Sequence, residues 1–341
     1  AVLRARVVTE HSNNMGTNEV DSRIVESPSS KNVKSVRSGV LVTGATGLVG
    51  RRLLPGLARR SAWVRTLSRS GAAPAGEVAV DAGSWDGIDP GPTSLDGVAS
   101  VIHLAGEPVF GGLPSADRLT RIRASRIDST TRLVERILER TPDDRPSTFI
   151  CASAVGYYGD RGAESLSDDA AMGAGYLAEV CRDWEAAAAA AAAAGIRVVH
   201  LRIGVVLARE GGALALMRLP FSLGVGGRLG SGEQYFPWIH ADDLVRSILF
   251  CLDEPIEGPV NAVAPEAVTN AELTRELGAA LRRPAVIPVP AFAVKIALGG
   301  ISGELRGSRL VVPKRLQDAG FEFEHPTLKS ALEAELRKVR A

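Results

Sequence analysis

Reactive groups and net charge are scarce in this chain. Three cysteines among 341 residues (Cys151, Cys181, Cys251) are an odd number set far apart. That excludes a disulfide scaffold and points to a reducing compartment. The five histidines, His11, His103, His200, His240 and His325, show no metal-ligand spacing, so no metal is expected. Lys+Arg 40 against Asp+Glu 39 gives a net charge of +1, which leaves a nucleic-acid or acidic-membrane partner without electrostatic support. No strongly apolar run reaches the roughly 18 residues of a membrane span. The alanines from Ala186 to Ala194 come nearest. Beside Asp183 and Glu185, and stopped by Gly195, they read as the end of a helix in a soluble protein. Internal repeats are absent too.

The chain does contain a strong glycine signal. Val40-Leu41-Val42-Thr43-Gly44-Ala45-Thr46-Gly47-Leu48-Val49-Gly50 is a short apolar run that ends in three glycines spaced three apart, with a helical pattern from Arg51. Strand, tight turn and helix in that order form a dinucleotide-binding turn. Gly44 permits the turn, Gly47 lets backbone N–H groups approach a pyrophosphate, and Gly50 lets helix and strand pack closely.

Strand and helix signals then alternate. Strands are expected at 63–67, 78–80, 98–105, 149–153 and 196–201, with a long helix through Ile127, Val134 and Leu138 stopped by Pro142. Such βα repetition implies an α/β fold with a doubly wound parallel sheet of Rossmann type. After about residue 206 glycines crowd, and Trp238-Ile239-His240 leads into a helix. A strand at 260–263 returns to the sheet, and Thr269 with Glu272 has the spacing of a capping box. The expected organisation is an extension or linker over 1–38 and a dinucleotide-binding domain over 39–205, completed by about 236–264. A small C-terminal substrate or lid lobe is formed by 206–235 and 265–341. The extension is a possible contact for a protein partner. The start at Ala1 without methionine points to processing or to a boundary upstream.

Beyond the glycine turn, Leu104-Ala105-Gly106-Glu107-Pro108, Ser125-Arg126-Ile127 and Ser153-Ala154-Val155-Gly156-Tyr157-Tyr158-Gly159 stand out. So do Cys181-Arg182-Asp183-Trp184-Glu185, Arg202-Ile203-Gly204-Val205-Val206-Leu207, Gly230-Ser231-Gly232, Trp238-Ile239-His240 and Ala319-Gly320-Phe321. In that order, over roughly residues 39 to 340, the chain resembles the extended short-chain dehydrogenase/reductases, and within them an atypical "epimerase family protein" branch with a plant member in chloroplast division. The resemblance implies a bound dinucleotide with Gly44, Thr46, Gly47, Leu48, Val49, Leu104, Ala105, Gly106, Arg126 and Ser153 about it. In this architecture a carboxylate after the second strand selects NAD. Here the strand ends Leu67-Ser68-Arg69-Ser70, and Arg69, Ser68 and Arg51 suit the 2′-phosphate of NADP (NADPH). The alternative is that Arg69 is a solvated loop arginine.

The wider family relies on a Tyr and a Lys four residues apart, with a Ser on the preceding strand. Ser153 occupies the Ser position, but the other two positions hold Leu177 and Cys181, and Tyr176 is one residue out of register. Tyr157 and Tyr158, with Ser153 and Glu107 or His240, are candidates for a rearranged proton donor. The favoured alternative is that the two tyrosines pack the cofactor ring and position its amide. Cys181 reads as a buried helix residue, Trp184 and Trp238 as core or pocket wall, Asp242 and Asp243 as caps, and Arg202 as a grip for an anion or half of a salt bridge. Two functions follow. One is an NADP(H)-dependent oxidoreductase or epimerase on an unknown small molecule. The other is a weakly catalytic or non-catalytic cofactor-binding protein, structural or regulatory, for example in plastid division. The compartment expected is a plastid (stroma or inner envelope face), with the cytoplasm as alternative.

Overall fold

The computed structural model describes residues 39–74, 78–87, 89–91, 93–109, 115–285, 289 and 307–336. The extension 1–38 and the prolines at 288 and 290 lie outside the described residues.

Side-chain parity along the strands builds the sheet. In β1 (Gly39–Thr43), Val40 and Val42 enter one core cluster and Leu41 enters the other. The next strands are β2 (Val64–Ser68), β3 (Asp81–Ser84), β4 (Val98–His103) and β5 (Thr148–Ala154). In β4, Val98 and Val101 oppose Ile102; in β5, Phe149 and Cys151 oppose Ile150. Strands apolar on both faces need cover on both faces. One face receives α1 (Leu48–Ala58) and the other α2 (Ala116–Leu138), with Leu133, Val134 and Ile137 inward.

Beyond β5 come β6 (Ser165–Leu166), α3 (Tyr176–Ala186), α4 (Ala189–Ala193), β7 (Arg197–Ile203) and β8 (Val205–Ala208). They are followed by α5 (Gly212–Ser222), β9 (Trp238–His240), α6 (Ala241–Asp253) and β10 (Gly258–Ala262). The sheet order is β3-β2-β1-β4-β5-β7-β10, all parallel. Sequence order reverses between β1 and β4, so their C-terminal ends form the crevice where this Rossmann-like architecture takes ligands. A third cluster, with Leu214, Phe221, Trp238, Leu277 and Leu332, packs α5 against α7 (Asn270–Leu281) and α9 (Leu328–Leu336). Thr269 and Glu272 do form a capping box on α7.

Two local expectations fail. The strand expected at 78–80 lies at Asp81–Ser84 instead, where Arg65 Nε donates to Asp81 Oδ2 at 2.6 Å and fixes the register. Tertiary pairing overrides the poor strand propensity of Asp-Ala-Gly-Ser. The alanine run is a separate short helix, α4, set off from α3 by a turn at Ala187 and Ala188 that stays in the right-handed region, while Ala188 and Ala191 turn into the core.

A polar knot joins the last sheet strand to the C-terminal part. Asp168, buried, accepts from Asn261 N at 2.6 Å and from Arg315 N at 2.9 Å, so it links β10 to the start of α8 (Lys314–Asp318). Asn261 Nδ2 donates to Leu166 O and Val312 O, beside the pairing of β6 with β11 (Leu310–Val311). Asp168→Ala should destabilise the fold by about 1–3 kcal/mol for each orphaned amide. Urea unfolding measures it, and a total loss below about 1 kcal/mol would refute this role for Asp168.

Candidate active site at the C-terminal edge of the sheet

Backbone fit forces the glycine turn. Gly44 has φ +72°, and a Cβ there would stand 2.7 Å from the carbonyl carbon and oxygen of Leu104. At Gly50 a Cβ would stand 2.4 Å from Gly44 O. Gly47 is the exposed N-cap of α1, and no side chain caps the helix. The first-turn N–H groups therefore lack an intrahelical or side-chain partner. Thr46 is exposed and Leu48 and Val49 are half-buried around them. Arg51 and Arg69 are both exposed, and neither guanidinium bonds to another described residue. Ser68 Oγ, at the end of β2, donates to Ala72 O at 3.3 Å.

The opposite wall is the segment after β4, held by a chain of neutral hydrogen bonds. Ala105 N donates to Thr43 Oγ1 at 3.2 Å, and because Ser129 Oγ gives its proton to Ser125 O and so accepts from His103 Nε2, the Thr43 hydroxyl donates onward to His103 Nδ1 at 2.7 Å. The proton of His103 then sits on Nε2, which faces Ser129 Oγ at 3.3 Å, and Ser129 donates to Ser125 O at 2.7 Å. Complete burial pushes the His103 pKa down to about 3, which keeps the ring neutral. Arg126 lies beneath Gly106 and over the Trp184 ring at 5.1 Å, with Nη1 donating to Glu107 O at 3.0 Å. Burial lowers its pKa.

The end of β5 carries the ionic part. Ser153 and Arg202 are register partners on β5 and β7. Arg202 makes two bonds to Glu185 of α3, Nε to Oε1 and Nη2 to Oε2, each 2.8 Å. Ser153 Oγ donates to the same Oε1 at 2.7 Å. Arg202 Nη1 donates to Tyr158 Oη at 2.9 Å, and Asn261 Oδ1 lies 2.6 Å from that hydroxyl. Burial opposes the Arg202 charge, but its bonds to Glu185 outweigh burial and raise its pKa above the ordinary value. Tyr158 is fully buried, and burial raises its pKa against the pull of Arg202. Its hydroxyl is thus enclosed in the knot around Asn261. Tyr157 differs: its half-buried ring lies over the Arg202 guanidinium at 3.5 Å, and its hydroxyl bonds to no described residue.

Leu177 Cβ and Cys181 Sγ stand 3.3 and 3.6 Å from where a Gly156 Cβ would be, so the two positions of the missing pair do face the turn after β5. Cys181 is fully buried, which raises its thiol pKa to about 11 and leaves no thiolate at neutral pH. His240 is buried at the N-terminus of α6, and among the described residues no contact joins it to Ser153 or Tyr157. The sequence treated the serine and the tyrosines as candidates without finding their organiser, the Glu185–Arg202 pair, which is assembled across 17 residues from a helix and a strand. A surface recess of about 340 Å³ beside Leu95 and Arg140 lies toward the opposite edge of the sheet and shares no residue with this site.

The neutral His103 predicts a pH effect. Its folded pKa of about 3 lies below the ordinary 6.5, so between these values only the unfolded chain takes up the proton. The contribution is complete above pH 6.5 and is lost as pH falls toward 3, at up to about 1.4 kcal/mol per pH unit. Urea unfolding at pH 7, 6 and 5 should show a shallower acid slope for His103→Gln than for the unsubstituted protein. Equal slopes would mean that His103 is not held neutral.

Residues 40–264 match the NAD dependent epimerase/dehydratase family, and residues 289–335 match a domain of unknown function, DUF1731. The Arabidopsis thaliana epimerase family protein SDR39U1 homolog, chloroplastic, is 40% identical over 312 residues, covering 88% of this chain and 87% of that protein. Epimerase family protein Mb2239 of Mycobacterium bovis is 38% identical over 298 residues, covering 86% and 96%. The crystal structure of human epimerase family protein SDR39U1 (isoform 2) with NADPH superposes with a TM-score of 0.76 at 31% identity, covering 87% of this chain and 99% of that one. The chain belongs to the NAD dependent epimerase/dehydratase family, in its atypical extended short-chain dehydrogenase/reductase branch.

Proposed function

We propose that the chain binds NADP(H) at the glycine turn and acts as an oxidoreductase or epimerase on a small molecule, without the usual Tyr/Lys pair. The fit of the turn supports the cofactor. The uncapped start of α1 at Gly47 offers N–H groups to a pyrophosphate, and the exposed Arg69 and Arg51 offer charge to a 2′-phosphate. Gly44, Thr46, Gly47, Leu48, Val49 and Ser68 would line that side, with Leu104, Ala105, Gly106 and Arg126 as the other wall and Ser153 beyond. The NADPH in the human relative's crystal supports the same choice. When bound, this cofactor supplies or accepts a hydride.

The free hydroxyl of Tyr157 carries the proposal about chemistry. Hydride movement needs a proton moved at the substrate oxygen, help that is worth about 10²–10⁴ in rate. Ser153 donates to Glu185 and Tyr158 is enclosed, which leaves Tyr157 as the phenol available to a substrate. Its ring on Arg202 brings a cation close to that phenol. Turnover on ordinary carbonyl and sugar-nucleotide substrates is therefore slow. The second reading, a cofactor-binding protein without turnover, draws support from the commitment of Ser153 to Glu185. For the compartment we favour a plastid, on the name of the Arabidopsis relative. No helix among the described residues is long and apolar enough to cross a membrane.

Calorimetric titration should give tighter binding for NADPH than for NADH. Arg69→Ala should weaken NADPH by on the order of 1.5–3 kcal/mol and leave NADH nearly unchanged. Equal affinities for the two cofactors would overturn the assignment.

The tyrosines separate by substitution. Tyr157→Phe should keep the melting temperature and lower any NADPH oxidation found on a carbonyl panel by at least tenfold. Tyr158→Phe should destabilise the fold by about 1–3 kcal/mol, because Arg202 and Asn261 lose a buried partner. Unchanged turnover in Tyr157→Phe would remove that phenol from the reaction.

A further inference from the structure

Sequence spacing keeps the five histidines apart, but the fold sets two of them ring to ring. His240 closes β9, and its Nδ1 accepts from Asp242 N at 3.1 Å, capping α6. His325, in the segment before α9, lays its ring on that of His240, with centroids 3.8 Å apart and planes tilted by 43°. Asp242 Oδ2 lies 3.8 Å from His240 Nδ1, while Asp242 Oδ1 accepts from Arg52 Nη1 at 2.7 Å. One ligand atom from each of His240, Asp242 and His325 lies within 4.8 Å of the other two.

We propose that His240, Asp242 and His325 form a site for a divalent ion of zinc type, which joins the segment before α9 to the N-terminus of α6. The donor set favours such an ion. Two imidazoles and one carboxylate suit zinc or cobalt, whereas magnesium and calcium call for oxygen donors alone. The surrounding groups are those that a metal-bound imidazole needs. Such a ring presents its other N–H to a carboxylate, which fixes its tautomer and orientation. The Asp242 amide on Nδ1 already places the His240 proton on Nε2, and Glu335 Oε1 stands 3.1 Å from Nε2. The two do not form a full hydrogen bond, and the buried Nε2 has no hydrogen-bond partner among the described residues.

Glu335 is fixed in turn by Arg52 Nη2 at 3.1 Å and by Arg209 N at 2.7 Å. Arg52 also donates to Glu210, at 2.6 and 2.7 Å. One guanidinium therefore faces three carboxylates (Glu210, Asp242, Glu335), an excess of two negative charges. A divalent ion offsets that charge. Arg52 occupies Oδ1 of Asp242 and leaves Oδ2 to the ion, whose bond to Nδ1 would replace the hydrogen bond from Asp242 N. The site would link the two matched segments, since His240 belongs to 40–264 and His325 to 289–335.

The test is a titration of the chelator-stripped full chain with ZnSO₄ by calorimetry, with Co²⁺ absorption as a probe of coordination geometry. We expect one zinc per chain and a tetrahedral-type cobalt spectrum. Affinity should fall at least tenfold in His325→Ala, in the milder His325→Gln and in Asp242→Asn, and should not change in His11→Ala. Zinc should raise the melting temperature of the unsubstituted chain and not that of His325→Gln. A folded unsubstituted chain that takes up no zinc overturns the proposal. So does stoichiometric binding that survives both His325→Gln and Asp242→Asn.

Discussion

A buried ion pair organises the end of the sheet. Glu185 and Arg202 are respectively 13% and 4% exposed, and each engages the other through two bonds. Burial of such a pair brings little net stability, but removal of either partner strands a charge and is strongly destabilising, by about 3–5 kcal/mol. The pair therefore acts as a constraint. It fixes α3 against β7, and it determines what the neighbouring hydroxyls do. Ser153 is drawn to Oε1 of Glu185, which reaches it from α3, and Tyr158 is held inward by Arg202 Nη1 and Asn261 Oδ1. Tyr157 receives only the face of the guanidinium, and so keeps its hydroxyl.

The other wall of the crevice is held by opposite means. From Ala105 through Thr43, His103 and Ser129 to Ser125, the bonds are neutral and run in one direction. A neutral chain of this kind orients the backbone at Ala105, while the Arg126 guanidinium, donating to Glu107 O at 3.0 Å, brings a charge to the residues just beyond. A charged imidazole at His103 would have to give up either the Thr43 proton or its burial. The site thus has beside the glycine turn a wall of neutral hydrogen bonds with one arginine, Arg126, and after β5 a wall built on an ion pair. That division suits an anionic dinucleotide on one side and proton chemistry on the other.

Local features were legible in the sequence and long-range ones were not. The glycine turn could be read because its constraint, backbone approaching backbone at Gly44 and Gly50, lies within a few residues and next to an apolar run. The capping box at Thr269 is equally local. The loss of the Tyr/Lys pair was visible by counting along one helix, and Leu177 and Cys181 do face Gly156. The separation of Tyr157 from Tyr158 was not visible. Neighbours in sequence, they differ because Asn261, 103 residues away, claims one hydroxyl. Strand β3 escaped because its pairing rests on Arg65 rather than on its own composition. The histidines escaped for the same reason as Asn261: β9 and the segment before α9 meet only in the folded chain.

The charge balance after β5 also bears on whether the missing pair could simply be put back. Cys181 is fully buried, and Arg126 and Arg202 both act on its thiol. The Glu185 carboxylate, the acceptor within reach, is already filled by Arg202 and Ser153. Cys181→Lys would place a third cation beside two arginines with no anion left to receive it, in a site where an unpaired charge costs several kcal/mol. The lysine would lose its proton, or the Glu185–Arg202 pair would have to open. The site is therefore more than the usual one with two residues deleted. The cation paired with Glu185 is an arginine on the strand, Arg202, and no lysine stands on the helix at Cys181.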